Sequence, residues 1–300
     1  MSRPDDVRCV LPGQDILGET PLWCGQTQSL LWLDIDGGRL QRWHPASGRH
    51  DVFTFDARYV GSLALTSDPG RVLVALDLGL HVFDMGSGAL HLLCQVEPAE
   101  VDNRLNDGRC DAAGRFWVGT MDNQLHRPNG AFYRVDPDGR VQRLLQDVIV
   151  SNTIAISPAQ DRLYFSDTRR YQTWQFDLDP ASGNLSNQRM FVDHRAAQDR
   201  PDGACVDAQG HVWNAIFAGG RVVRFTPSGA VDRVIELPVS NPTCVCLGGP
   251  DLRTLYITTA RKFLSRTQLR AEPLAGGVLA VDVDVPGLPE HRFPVHPVRA

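Results

Sequence analysis

One local pattern of strands and turns returns six times along this chain of 300 residues. A polar start leads into a short apolar strand, and a turn then leads into a second strand that in most copies carries an aromatic residue. The copies begin near Gly18, Val60, Asn103, Val150, Arg200 and Pro242. Their spacings, by subtraction, are 42, 43, 47, 50 and 42 residues. Four short strands in each copy of about 40–45 residues are typical of a propeller blade. The sequence therefore predicts an all-β fold, a six-bladed β-propeller with a four-stranded antiparallel sheet per blade and a central channel.

Turn residues separate the predicted strands, as in residues 136–139 (Asp-Pro-Asp-Gly) and 226–229 (Thr-Pro-Ser-Gly). Such sequences favour the tight connections of an antiparallel sheet. Helical periodicity is nearly absent, and only residues 265–271 are predicted as a short helix. The strand at residues 6–11 precedes the first copy, and we expect it to supply the outer strand of the last blade. No linker divides the chain, so residues 1–300 are predicted to form one domain.

Charge and composition exclude several classes of function. The chain has 30 Lys and Arg against 35 Asp and Glu and no dense basic run, which argues against a nucleic-acid partner. Its longest apolar stretches, such as residues 145–156, are too short and too interrupted to cross a membrane. The charged start lacks the apolar segment of a secretory signal, which predicts a cytoplasmic protein. Seven cysteines, an odd number without framework spacing, predict free thiols.

Four oxygen-bearing side chains occupy the same phase of the repeat. Glu19 precedes Trp32 by 13 residues, and Asn106 precedes Trp117 by 11 residues. Asn152 and Asp202 stand at the equivalent distance before the aromatic residue of their own second strands, 12 and 11 residues by subtraction. The first strands of the blades surround the channel, so residues at one phase should point to the same end of it. Residues 106–108 (Asn-Asp-Gly) and 201–203 (Pro-Asp-Gly), taken alone, would be turns into strands. Four such residues in phase, Glu19 among them, favour a site.

The residue types at this phase favour a hard cation. Two carboxylates and two amides form an oxygen-only cage, which suits Ca²⁺, Mg²⁺, Mn²⁺, Zn²⁺ or Fe²⁺ better than a soft metal. The two negative charges would neutralise one divalent ion. The sequence therefore predicts one divalent metal ion of undetermined identity at the mouth of the channel.

Several segments resemble the family of sugar lactonases that groups gluconolactonase with senescence marker protein and luciferin-regenerating enzyme. The matching segments are residues 17–23 (LGETPLW), 103–108 (NRLNDG), 114–121 (GRFWVGTM), 151–152 (SN), 200–203 (RPDG) and 207–213 (DAQGHVW). The resemblance covers the full chain. It implies that Glu19, Asn152 and Asp202 ligate the metal and that Arg104 and Asn106 face the substrate. It also implies a bacterial aldonolactonase that acts on a sugar lactone in carbohydrate oxidation.

The chain departs from the family at one position, where Thr153 replaces the glycine that usually follows the ligand asparagine. We expect this threonine to narrow the channel or to restrict the backbone. Arg169 and Arg170 are expected to be a solvated pair, the alternative being that they select an anionic lactone. His126 is expected to be a loop residue, although it could approach the mouth.

The predicted reaction is hydrolysis of a carboxylic ester, the lactone. A divalent ion can polarise the carbonyl, and Asp202 is predicted to be the general base that activates the attacking water. Arg104 would hold ring hydroxyls or the developing negative charge, and Asn106 would exchange hydrogen bonds with the sugar. Two alternatives stay open: hydrolysis of other esters or organophosphates, and a calcium-binding regulatory propeller. The sequence leaves the particular lactone and the oligomeric state open.

Overall fold

A computed structural model describes residues 6–98 and 102–295 of the chain, and these residues form six four-stranded antiparallel sheets. The predicted six-bladed propeller is therefore confirmed. The polar start on which the expectation of no secretory signal rests lies largely outside the described residues. Within the described ranges, no helix is long and apolar enough to span a membrane.

The strands follow one another in chain order, four to a sheet, apart from the first. The first half of the chain contains β1 (Arg8–Leu11), β2 (Gly18–Cys24), β3 (Ser29–Asp34), β4 (Arg39–His44), β5 (Arg49–Thr54), β6 (Val60–Leu65), β7 (Arg71–Leu76), β8 (Gly79–Asp84), β9 (Leu90–Gln95), β10 (Asn103–Cys110), β11 (Phe116–Asp122), β12 (Gly130–Val135) and β13 (Val141–Val148). The second half contains β14 (Ser151–Ile156), β15 (Arg162–Asp167), β16 (Gln172–Leu178), β17 (Leu185–Asp193), β18 (Arg200–Val206), β19 (Val212–Phe217), β20 (Arg221–Phe225), β21 (Val231–Glu236), β22 (Pro242–Gly248), β23 (Thr254–Thr259), α1 (Arg266–Ala271) and β24 (Val278–Asp282).

The innermost strand of each blade begins where the repeat predicts it. β2, β6, β10, β18 and β22 begin at the predicted residues, and β14 begins one residue later than predicted. Each of these strands packs against the first strand of the next blade, and β2 packs against β22. The six first strands therefore form a ring around the channel axis.

The ring is closed by strands from the two ends of the chain. β1 pairs antiparallel with β24, so the sixth sheet has the order β1-β24-β23-β22. The Arg8 Nη2 atom lies 2.8 Å from Oδ1 of Asp282 across this pair. The predicted outer strand of the last blade is confirmed, although it is shorter than expected and begins at Arg8.

Local signals read from the sequence also appear in the structure. Gly139 and Gly229, which end two of the predicted turns, have φ of 83° and 87°, a region that favours glycine. The predicted helix is α1, and Ser265 caps it by accepting a hydrogen bond from the backbone N–H of Gln268. All seven cysteines are free, as expected.

Buried aromatic residues on the second strands anchor the blades. Trp117 and Trp213 are almost inaccessible to solvent. Each donates its indole N–H to a buried aspartate in the preceding turn: Trp117 to Asp111 at 2.9 Å and Trp213 to Asp207 at 3.0 Å. These bonds satisfy a donor that would be costly to bury alone, and they fix the second strand relative to the first.

Candidate active site

A β-bulge in every first strand determines where the site residues point. The register of each pair shifts after Glu19, Val60, Leu105, Asn152, Pro201 and Pro242. A bulge interrupts the alternation of side chains and re-aims them locally. Residues 106–108 and 201–203 are therefore bulged parts of β10 and β18, and the interpretation of these motifs as turns is wrong.

All five predicted site residues line one cavity of about 350 Å³. They are Glu19, Arg104, Asn106, Asn152 and Asp202, and each is at most 6% exposed. They come from blades one, three, four and five. The remaining lining residues are Leu17, Met121, Leu125, His126, Val150, Thr168, Arg169, Arg200, Phe217, Lys262 and Phe263. The cavity thus combines a polar floor with a rim of apolar and cationic side chains.

The two buried carboxyl groups of this floor contact each other. Glu19 and Asp202 share a hydrogen bond, and Glu19 also accepts one from the backbone N–H of Thr20 at 2.8 Å. Burial raises the pKa of Glu19, and the charge of Asp107 raises it further. Burial and the charge of Glu19 raise the pKa of Asp202 well above its ordinary value. The pair therefore holds a proton when no cation is present, and a divalent cation would take the place of that proton.

The amide of Asn152 is held in one orientation. Its Nδ2 donates to the Thr168 hydroxyl at 2.8 Å, and that hydroxyl donates to the carbonyl of Pro201 at 2.6 Å. The Oδ1 atom of Asn152 is thereby left as the acceptor, and Asn106 Nδ2 donates to it at 3.0 Å. The Oδ1 atom keeps a free lone pair, and Asn152 lines the same cavity as the carboxyl pair, so this oxygen is of the type that a hard metal prefers.

Arg104 is a buried cation whose position is set by its neighbours. Its Nη1 donates to Asn106 Oδ1 at 2.5 Å and to the carbonyl of Leu105 at 3.1 Å. The guanidinium carbon lies 5.4 Å from the ring centre of Tyr59. Burial lowers the pKa of Arg104, while the charges of Asp36 and Glu19 oppose that shift. A fixed positive charge with spare donors is suited to a developing oxyanion.

Asp107 is a third buried carboxylate that the sequence analysis did not select. Its Oδ2 accepts the backbone N–H of Ile154 at 2.7 Å, and burial raises its pKa. It does not line the cavity, but its charge acts on both Glu19 and Asp202. No sequence pattern singles it out, because in a regular strand Asp107 would point to the face opposite Asn106.

Thr153 has a left-handed backbone conformation with φ of 54°. Its hydroxyl donates to the main-chain carbonyl of Asp202 at 2.6 Å and accepts from Asn214 Nδ2 at 3.2 Å. Thr153 does not line the cavity, so it does not narrow the cavity directly. It instead links the strand of one predicted ligand to the strand of another.

The rim contains residues that the sequence analysis set aside. His126 and Arg169 both line the cavity, so His126 does approach the mouth. Arg170 does not line it and pairs with Asp167 at 3.0 Å. The expected pair of solvated arginines is therefore divided: one is bound to a carboxylate, and the other faces the cavity.

The donor set fits a hard divalent cation. Within residues 6–98 and 102–295, no three His, Cys, Asp or Glu side chains form a metal-binding group. The set of Glu19, Asp202 and Asn152 differs from such a group in using an amide oxygen. Two carboxylates in mutual contact beside an oriented amide oxygen provide two negative charges and only oxygen ligands.

Comparison with known proteins identifies the family to which this chain belongs. The model of the SMP-30/Gluconolactonase/LRE-like region matches residues 17–261, and the chain belongs to this family. A 6-deoxy-6-sulfogluconolactonase from Pseudomonas putida is 38% identical over 289 residues, which cover 96% of this chain and 99% of that protein. An L-arabinolactonase from Azospirillum brasilense is 36% identical over 283 residues, which cover 93% of each.

A solved structure extends the comparison to the fold. The calcium-binding protein regucalcin from Agrobacterium tumefaciens superposes with a TM-score of 0.93 at 31% identity, covering 97% of this chain and 98% of that one. The resemblance found in the sequence is thus confirmed. The prediction of a hydrolase acting on carboxylic esters agrees with relatives that are named as lactonases.

Proposed function

We propose that this protein hydrolyses a sugar lactone to its aldonic acid and uses one divalent metal ion. The observation that carries the proposal is the convergence of Glu19, Asn152, Asp202, Arg104 and Asn106 on one cavity. Relatives covering nearly the whole chain are named for sulfogluconolactone and arabinolactone. Glu19, Asn152 and Asp202 would hold the metal, which when bound would polarise the lactone carbonyl and acidify water.

Side chains of the cavity carry out the proton transfer, the charge stabilisation and the orientation of the groups involved. Asp202 accepts a proton from the attacking water as the water oxygen bonds to the carbonyl carbon. The guanidinium of Arg104 stabilises the negative charge that develops on the carbonyl oxygen. The bond between that carbon and the ring oxygen then breaks, the ring oxygen takes up the proton that Asp202 accepted, and a hydroxy acid results. Asn106 orients Arg104 through its Oδ1 and Asn152 through its Nδ2.

The test is hydrolysis of a panel of aldonolactones, followed by acid release in weak buffer with a pH indicator. Protein stripped with a chelator is compared with protein resupplied with Ca²⁺, Mg²⁺, Mn²⁺, Zn²⁺ or Fe²⁺. We expect turnover above the spontaneous rate only with metal. Asp202→Asn should lose most turnover, whereas Asp193→Asn, at the exposed end of β17, should keep it. Lactone opening that survives complete metal removal would contradict the proposed metal.

A calcium-binding platform without turnover is the second candidate, favoured by the neighbour described as a calcium-binding protein. The Asp202→Asn variant separates the two. If the variant retains bound metal and loses turnover, the enzyme proposal stands. If wild-type protein binds calcium and opens no lactone or ester, the platform replaces it.

A further inference from the structure

The rim of the cavity contains two arginines whose charges nothing in the described chain balances. Both Arg169 and Arg200 line the cavity. Arg169 is exposed and Arg200 is half-buried. Among the residues that the structure describes, neither guanidinium donates a hydrogen bond or forms an ion pair. Two unpaired guanidinium groups at one pocket provide up to ten N–H donors for a ligand.

A hydrogen bond between two blades joins the chain segments that carry these arginines. The Thr168 hydroxyl of blade four donates to the carbonyl of Pro201 in blade five at 2.6 Å. Arg169 follows Thr168 directly, and Arg200 directly precedes Pro201. The contact therefore places two cationic residues at one junction between blades, where an anion bound in the cavity would neutralise their charges.

Neighbouring carboxylates are engaged elsewhere. Asp167, two residues before Arg169, binds Arg170 at 3.0 Å. Asp199, directly before Arg200, binds Arg221 at 2.5 Å. Acids adjacent to both arginines are thus present, and they pair with other partners. This distribution leaves the guanidinium groups of Arg169 and Arg200, which line the cavity, without a carboxylate partner among the described residues.

We propose that the lactone carries an anionic group on the carbon remote from its carbonyl, and that Arg169 and Arg200 bind this group. This inference rests on the proposed function. The carbonyl would lie at the Glu19 and Asp202 floor, beside Arg104. The remote carbon would then extend toward the rim. A sulfonate, a carboxylate or a phosphate ester shares the required chemistry, since each offers several oxygens to two planar guanidinium forks.

The test compares a neutral lactone with charged analogues of the same ring. Glucono-1,5-lactone is measured beside analogues bearing sulfonate, carboxylate or phosphate on C6, in metal-loaded protein. We expect kcat/KM to be higher for at least one charged analogue. Arg169→Gln and Arg200→Gln should each lower kcat/KM for that analogue about tenfold, mainly through KM, and should lower it several-fold less for the neutral lactone, so that the preference for the charged analogue falls.

Arg195→Gln is the matched control, because Arg195 is an exposed arginine paired with Asp193 outside the cavity. It removes the same charge and should alter neither substrate. The relative rates of the three charged analogues identify the anion. If the wild-type protein prefers the neutral lactone, or if the two variants slow both substrates equally, the inference is overturned while the proposed function stands. If no lactone of either kind is opened, the proposed function fails and this inference fails with it.

Discussion

The side chain of Thr153 holds the main chain of Asp202, with its hydroxyl 2.6 Å from the Asp202 carbonyl. Thr153 belongs to β14 and Asp202 to β18, so this bond joins neighbouring blades at the floor of the cavity. The same threonine follows Asn152 and has φ of 54°, which is unfavourable for a β-branched residue. A strained backbone at the site is thus compensated by a bond that positions the proposed base.

Removal of the Thr153 hydroxyl should impair turnover more than folding. Thr153→Val keeps the shape but leaves the Asp202 carbonyl with only its bond from Asn214. We expect kcat/KM to fall about tenfold and the free energy of unfolding to fall by about 1–2 kcal/mol. Kinetics with a lactone and urea unfolding measure the two effects. Thr153→Ser retains the hydroxyl and should stay within about threefold of wild type; equal kinetics for Val and Ser would show that the bond positions nothing.

Thr168 should influence metal binding without being a ligand. Thr168→Val removes the acceptor of Asn152 Nδ2, so the amide is free to rotate its oxygen away from the carboxyl pair. Loss of such an outer partner typically lowers metal affinity about 10–100-fold. Equilibrium titration of stripped protein with the metal selected by the activity assay measures this. Thr168→Ser restores the hydroxyl and should recover the affinity, and unchanged binding in the valine variant would exclude this role for Thr168.

Stability should fall in mild acid because of His194. Burial lowers the pKa of this histidine from its ordinary value of 6.5 to about 4, and its ring lies 3.1 Å from the Thr173 hydroxyl. Below pH 6.5 the unfolded chain takes up a proton that the folded chain does not, so this stabilisation is complete above pH 6.5 and decreases as the pH falls toward 4. Between about pH 7.5 and pH 5 the loss is roughly 2 kcal/mol.

Urea unfolding of wild type and His194→Gln at both pH values isolates this contribution. The variant cannot take up the proton, so its stability should change less over the same interval by about that amount. Parallel changes in the two proteins would assign the acid sensitivity to other groups.

Asp207 should be essential for stability and dispensable for chemistry. It is fully buried and accepts hydrogen bonds from Trp213, from Arg224 at 2.8 and 2.7 Å, and from backbone N–H groups. Asp207→Asn leaves Arg224 with reduced charge compensation, and we expect a loss of about 3 kcal/mol. Asp179→Asn, in an exposed turn, should change stability by less than about 0.5 kcal/mol. Thermal unfolding compares them; an unaffected Asp207→Asn protein would contradict this role.

The features that recur once per blade could be predicted from the sequence. The repeat gives the first residue of five of the six innermost strands, and it places Glu19 and Asn152 at one phase. The side chains at that phase meet because each first strand has a bulge at the same point, which repeats along with the sequence.

Other residues of the site and its rim could not be predicted, because their positions depend on local structure that the blade repeat does not specify. Asp107 was missed because a bulge changes which residues of β10 share a face. The sequence does not single out Arg200, because its place in the cavity lining depends on how blade five packs beside blade four, where Thr168 donates to the carbonyl of Pro201. Lys262 and Phe263 reach the cavity from the segment after β23, whose path no repeat determines.

The pairing of β1 with β24 constrains the order in which the blades can fold. Arg8 and Asp282, which face each other in the last sheet, are 274 positions apart. Because β1 and β24 are separated by almost the entire described chain, they can pair only after nearly all of it has been synthesised. Until then the outer edge of β24 has no partner strand in the sixth sheet. Closure of the last blade is therefore a late step in folding, in which an early strand of the chain pairs with a late one.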